Sequence, residues 1–417
     1  MVERNADVAK MGRNYLFHEI AKRKKALLEK EPGTRLINLG IGDTTEPIPP
    51  SVVEAMREAA SRLGSKKTYT GYGETHGKWL LREKISEVIY NSKVSPDEIF
   101  ISDGAKCDVG RMQLLFSRNV PVALQDPVYP AYMGASVLSG KTGGAQDGGS
   151  YEGIHYLPCT PENGFTPDVT TLPPGTLLYL CSPNNPTGTV LTRDQLTRLV
   201  HFARENRCFL LFDSAYAAFI QSEELPRSIY EIEGAQEVAI ETSSFSKRIG
   251  FTGVRLGWSV VPHKLTFADG SSVWKDWSTL TSTLFNEASN IAQAGGIAAL
   301  EKEGLASQRK LIAFYLENAR LLREALSPLP CYGGEHAPFL WLPLRSKSSW
   351  ETFETLLEKA KIVTTPGVGF GPSGEGFIRI SAFASRSDIH KASTLLQHIL
   401  LQKADVEVFK NREQQRT

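Results

Sequence analysis

Six short apolar runs punctuate the middle of the chain: EIFIS (98–102), VPVALQ (120–125), TLLYLC (176–181), CFLLF (208–212), VAIETS (238–243) and LGWSVV (256–261). Most are four to six residues long and rich in Val, Ile, Leu and Phe. A strand with one wet face would alternate apolar and polar residues, whereas continuous runs of this kind suit strands buried on both faces. Amphipathic stretches separate them. Thr192 to Asn206 opens with the capping box Thr-Arg-Asp-Gln and then sets Leu196, Leu199, Val200 and Phe202 on one helical face. The pattern predicts an α/β fold, a mostly parallel central sheet between layers of helices.

Past residue 300 the texture changes to long helical segments, over 307–326 and 348–361, interleaved with the strand-like PFLWLPL and GFIRISAF. This predicts a smaller α+β domain over 301–417, a large domain over 46–300, and an N-terminal segment, 1–45, packing with the small one. The Gly-rich stretch 140–153 reads as a surface excursion, because no strand-to-helix context surrounds it. The polar tail from Lys403 to Thr417 reads as frayed.

Lys and Arg number 47 against 46 Asp and Glu, so no overall basic field points to nucleic acid or to a membrane surface. The five cysteines, at 107, 159, 181, 208 and 331, are odd in number and widely spaced, which argues against a disulfide framework and a zinc cluster and for a reducing compartment. The start is charged and lacks the apolar run of a secretory signal, and no stretch of about 18 apolar residues occurs, so a soluble protein is expected.

Ser244-Phe-Ser-Lys247 follows one of the predicted strands, and Arg255 comes eight residues after the lysine. Hydroxyls and a guanidinium can hold a phosphate dianion while the amine attacks an aldehyde, which is the requirement of a Schiff-base site. Alone, the four residues also describe a surface lysine in a turn. CSPNNPTG (181–188) and FDSAY (212–216) end two more predicted strands, and the strand ends of an open α/β sheet line its ligand crevice. An ionised Asp213 there keeps a pyridine nitrogen protonated, while Asn185 and Tyr216 can hydrogen-bond a ring hydroxyl. Asp213 alone reads equally well as a helix cap.

SFSK, SPNNPTG and FDSAY, in this order and spacing, resemble the class I/II, fold-type I pyridoxal phosphate aminotransferases. NLGIGDTTEPIP (38–49), TGYG (70–73), SDGAKCD (102–108), QDPVYPAY (125–132), FTGVRLGW and GGEHAPFLW are similar, over nearly the whole chain, to the L,L-diaminopimelate aminotransferases. The resemblance implies pyridoxal 5'-phosphate as cofactor, with Lys247 as the Schiff-base lysine and Asp213 and Tyr216 acting beside it. The phosphate would lie on Ser244, Ser246, Arg255 and the backbone of Ala105 and Lys106, with Tyr132 stacked on the ring and Asn185 and Asn286 completing the site. Tyr72 would reach the phosphate of a second subunit, so the resemblance implies a homodimer with shared sites. For substrate it implies Arg379 as the α-carboxylate clamp, aided by Asn185 and Gly42, with Tyr15, Lys106, Tyr132 and Asn286 further along the substrate.

The activity implied is amino-group exchange between L,L-diaminopimelate and glutamate or 2-oxoglutarate, in lysine biosynthesis. The alternatives are lysine α-transamination, as in a related plant branch, a broader-specificity aminotransferase, or a non-catalytic descendant. The compartment implied is the cytoplasm, or the plastid stroma if a transit peptide has been removed. Two positions depart from the family pattern. Thr75 stands where a carboxylate pairs with the distal ammonium, and Glu287 stands where glycine is usual, so Glu287 or Glu74 is expected to restore the negative charge.

Overall fold

The computed structural model describes residues 1–11, 16–146, 149–344 and 348–401. All six apolar runs form strands of one seven-stranded sheet. In spatial order these are Ile99–Ser102, Gly257–Val260, Ala239–Ser244, Phe209–Asp213, Leu177–Cys181, Val122–Asp126 and Ile154–Pro158. Gly257–Val260 runs antiparallel to both its neighbours and the other pairings are parallel. The core lies on both faces, around Leu180, Phe212 and Trp258 on one side and Leu124, Tyr179 and Trp277 on the other. The seventh strand, Ile154–Pro158, was not expected. It is an edge strand with only Leu157 buried, so it lacks the continuous apolar run that marks the inner ones.

The capping box is formed: Thr192 N–H donates to Gln195 Oε1 at 2.7 Å and Gln195 N–H to Thr192 Oγ1 at 3.3 Å, opening the helix Arg193–Glu205. The helix buries Leu196, Leu199, Val200 and Ala203, with Phe202 half-buried beside them. The excursion at 140–153 is less superficial than expected. Lys141 and Thr142 are buried, and Lys141 Nζ donates to Gln113 O at 2.7 Å.

A second, antiparallel sheet is ordered Thr365–Pro366, Phe377–Ser381, Phe339–Pro343 and Tyr332–Gly333, under the helices Lys302–Leu326, Ser349–Ala360 and Arg386–Leu400. Ile37–Asn38 pairs in parallel with Ile362–Val363, and the helix Leu16–Lys30 packs on Trp341 and Phe353. The short helix Ala6–Lys10 lies instead against the large sheet's side, where Lys10 Nζ donates to Thr142 O at 2.7 Å. The tail, like Tyr15, lies outside the described residues. Among the described residues no helix is long and apolar enough to cross a membrane.

Candidate active site

Parallel strands bring their carboxyl ends to one edge, and here Cys181, Asp213 and Ser244 mark that edge, with Cys181 and Asp213 in register. Above it opens a cavity of about 620 Å³ lined by Lys247, Asp213, Tyr216, Asn185, Tyr132, Ser244, Ser246, Arg255, Ala105, Lys106, Gly42 and Arg379. The structure therefore gathers most of the residues singled out in the sequence, from segments up to 337 positions apart (Gly42 to Arg379), into one space. Tyr72 and Asn286 are not among them. Tyr72 is 91% exposed and Asn286, at φ 69°, is also exposed.

One end of the cavity is an anion cradle. The helix Ala105–Met112 points its N-terminus inward, and its free N–H groups and dipole favour negative charge. Gly104 precedes it at φ 127°, and a side chain there would run into the Arg255 guanidinium, so backbone and guanidinium meet only because this residue is glycine. Arg255 Nη1 donates to Ser246 Oγ at 3.3 Å, and Ser244 Oγ accepts from Ser246 N–H at 3.0 Å as the cap of the short helix bearing Lys247.

The middle holds the amine and the carboxylate. Lys247 Nζ donates to Gly42 O, and its pKa is lowered to about 8, chiefly by burial, with Arg379 and Arg255 adding to the effect and Asp43 opposing it. Asp213 accepts from Tyr132 Oη–H at 2.6 Å and from Ala215 N–H at 2.9 Å. Burial raises its pKa, these hydrogen bonds oppose the rise, and no cation among the described residues pairs with it.

At the far end Arg379 is buried. Its Nη1 donates to Asn185 Oδ1 at 2.6 Å and its Nη2 to Gly40 O at 2.7 Å. The guanidinium lies 4.7 Å from the Phe339 ring centroid and 4.8 Å from that of Phe370. Its Nε has no hydrogen-bond partner among the described residues. Sequence reasoning missed the Phe339 and Phe370 clamp, and it missed Asp43, Tyr129 and Thr252 in the lining. Asp43 stands within a quoted segment, IGDTTEP, as the one acidic residue beside Gly42, and that was the available signal.

The sequence profile of the family described as aminotransferase class I and II matches residues 34–396. The chain belongs to that family. This aminotransferase is 52% identical over 404 residues to the LL-diaminopimelate aminotransferase of Protochlamydia amoebophila, covering 96% of this chain and 98% of that one. It is 49% identical to the LL-diaminopimelate aminotransferase, chloroplastic, of Arabidopsis thaliana, covering 94% and 86%. Among solved structures, the L,L-diaminopimelate aminotransferase of Chlamydomonas reinhardtii superimposes with a TM-score of 0.91 at 48% identity, covering 95% of this chain and 98% of that one. An aspartate aminotransferase of Thermotoga maritima, 24% identical with a TM-score of 0.82, shares the fold.

Proposed function

We propose that this aminotransferase binds pyridoxal 5'-phosphate in the cavity and exchanges an amino group between L,L-diaminopimelate and 2-oxoglutarate or glutamate, as a step of lysine biosynthesis. The observation that carries the reading is the convergence of a buried amine, a buried carboxylate without a cation and a buried, incompletely bonded guanidinium in one space beside an anion cradle. That set fits the cofactor's aldehyde, ring nitrogen and phosphate, and it leaves Arg379 for a substrate carboxylate. The relatives' activity supports the choice of substrate.

When bound, the cofactor supplies an electron-withdrawing pyridine ring that stabilises negative charge at the substrate Cα. The chain's own groups do the rest. The Ala105 and Lys106 backbone, Ser244, Ser246 and Arg255 hold the phosphate, and Asp213 holds the proton on the ring nitrogen. Tyr132 covers the ring, and Asn185 and Tyr216 address its hydroxyl. Arg379 orients the α-carboxylate with Asn185 and Gly42. Lys247 would hold the cofactor through its aldehyde, and its Nζ is the group that would move the Cα proton, for which an amine with a pKa of about 8 is well matched to neutral pH. Two half-reactions through one site imply ping-pong kinetics.

The same reading makes the active unit a homodimer, in which Tyr72 and Asn286 complete the site across the subunit boundary and Tyr15 and Lys106 face the distal end of the substrate. It divides the chain into a large domain, 46–300, and a small one, 301–417, which the N-terminal segment, 1–45, joins through Leu16–Lys30 and Ile37–Asn38 while Ala6–Lys10 rests on the large one, and it places the enzyme in the cytoplasm or a plastid stroma. The test is absorption spectroscopy with turnover. The parent with pyridoxal phosphate should be yellow and change colour on adding glutamate or L,L-diaminopimelate. Lys247→Ala should keep the cofactor non-covalently and lose turnover, and substantial residual turnover would remove the Schiff-base role.

A further inference from the structure

The Tyr132 hydroxyl has a contact that covering a ring does not require. It donates to Asp213 Oδ2 at 2.6 Å, in the short range of a hydrogen bond to a charged acceptor, and both groups are buried. The phenol is held in place from behind. Tyr179 stacks on its ring at 5.2 Å and 16°, and Ser136 Oγ donates to the Tyr132 carbonyl at 2.9 Å. Asp213 Oδ1 is held separately by Ala215 N–H. Both carboxylate oxygens are therefore pinned, and each keeps a second lone pair for a donor arriving in the cavity.

The other ionisable groups around this carboxylate are weak acids. Cys181, on the neighbouring strand, and Tyr216 are both held protonated by burial, while the charged residues that line the same cavity are the cations Lys106, Lys247, Arg255 and Arg379 and one further carboxylate, Asp43. Tyr132 is itself pushed well above the ordinary phenol range, first by burial and then by Asp213, so it stays a donor.

The geometry points to a second role for Tyr132: its hydroxyl keeps Asp213 a carboxylate and aims it at the cationic ring nitrogen of a pyridine cofactor, so that this residue sets how strongly the ring withdraws electrons as well as covering it. The inference rests on the proposed use of pyridoxal phosphate. Tyr132 acts through Asp213, which makes it a positioning residue.

Tyr132→Phe keeps the ring and deletes the donor. In the full chain without cofactor, the infrared band of the protonated Asp213 carboxyl, assigned by its loss in Asp213→Asn, should persist to a pH about one unit or more higher than in the parent. With pyridoxal phosphate labelled at the ring nitrogen, the nitrogen resonance should move towards the unprotonated form. The kcat should fall by about tenfold with a smaller change in KM. A difluorotyrosine at this position, a stronger donor that also preserves the packing, should move the carboxyl titration the opposite way, and it provides the answer if the phenylalanine variant does not fold. Unchanged carboxyl titration and nitrogen resonance would overturn the inference even if turnover fell, because lost stacking lowers turnover without moving either. A parent protein that binds no pyridoxal phosphate would overturn the cofactor reading instead, and the carboxyl titration would still report on the hydrogen bond.

Discussion

A guanidinium buried against two phenyl rings, with one N–H left unbonded, is an expensive arrangement unless something charged completes it. Burial lowers the pKa of Arg379 to about 10, and its neighbours supply only neutral oxygens, so the missing partner is an anion from outside the chain. Arg379→Lys replaces a planar fork by a point charge. It should cost about 2 kcal/mol, roughly thirtyfold in kcat/KM, for an amino acid and for its keto-acid partner alike. Loss with only one of the two would remove the clamp role. Lys247 allows a pH test. Only the neutral amine attacks an aldehyde, so with a pKa of about 8 the rate at which the cofactor-free protein captures pyridoxal phosphate should rise to about pH 8 and then level off. A rate still climbing at pH 10 would mean that burial does not act on this amine. Lys247 and Asp213 stood out as charged residues at the ends of apolar strands, an unusual place for one, whereas Arg379 was legible only through the resemblance of its segment to the family. Phe339, Phe370 and Gly40 were not, because what they do depends on pairing between segments far apart in the chain.

The anion cradle belongs to the scale of elements, since it exists only where the start of the helix Ala105–Met112 meets the loop carrying Arg255. Gly104→Ala forces a side chain into a backbone conformation nearly restricted to glycine, at a cost on the order of 1–3 kcal/mol, and displaces the guanidinium. Cofactor dissociation, measured by equilibrium dialysis, should weaken by about tenfold or more, while circular dichroism keeps its parental shape. An unchanged dissociation constant would mean that the phosphate lies elsewhere. The inner strands were readable because burial on both faces writes a continuous apolar run into each. The edge strand Ile154–Pro158 and the two-residue pair Ile37–Asn38 with Ile362–Val363 leave no such trace, the first because most of it is not buried and the second because it is too short to carry a period. Helix starts were clear where a capping box marks them, at Thr192 and Ser348, and not where none does. The segment expected from 307 begins at Lys302, where Glu301 caps without a side-chain hydrogen bond.

At the scale of the whole molecule, the two residues left outside the cavity sit on neighbouring segments. Gly73 N–H donates to Glu287, and Asn290 Nδ2 donates to Gly71 O at 3.2 Å, so the stretches carrying Tyr72 and Asn286 form one exposed patch, flanked by the exposed Tyr69 and Leu284. If that patch completes the site of a second copy, chains bearing Tyr72→Phe mixed with chains bearing Lys247→Ala should form heterodimers in which one site per dimer regains parental cofactor affinity. Verified heterodimers without that recovery would refute shared sites. The patch also narrows the question raised by Thr75. Glu74 is already committed, since Arg82 Nη2 donates to it at 2.6 Å, whereas Glu287 accepts from the Gly73 backbone and from Gln293 Nε2 at 3.0 Å and so holds its charge two residues from Thr75. Glu287 is then the carboxylate expected to meet the distal ammonium of L,L-diaminopimelate. An unpaired buried charge costs on the order of 2–5 kcal/mol, so Glu287→Gly should lower kcat/KM for diaminopimelate by at least about tenfold and affect glutamate less. Adding Thr75→Glu should recover much of the loss. Glu287→Gln separates charge from anchoring, because its amide oxygen can still accept from Gly73 while the charge is gone, and it should be impaired almost as much as the glycine variant. If Glu287→Gln retains parental kcat/KM for diaminopimelate, Glu287 only braces the turn. If the parent turns over lysine or aromatic amino acids and ignores diaminopimelate, Thr75 marks a change of substrate within the aminotransferase family.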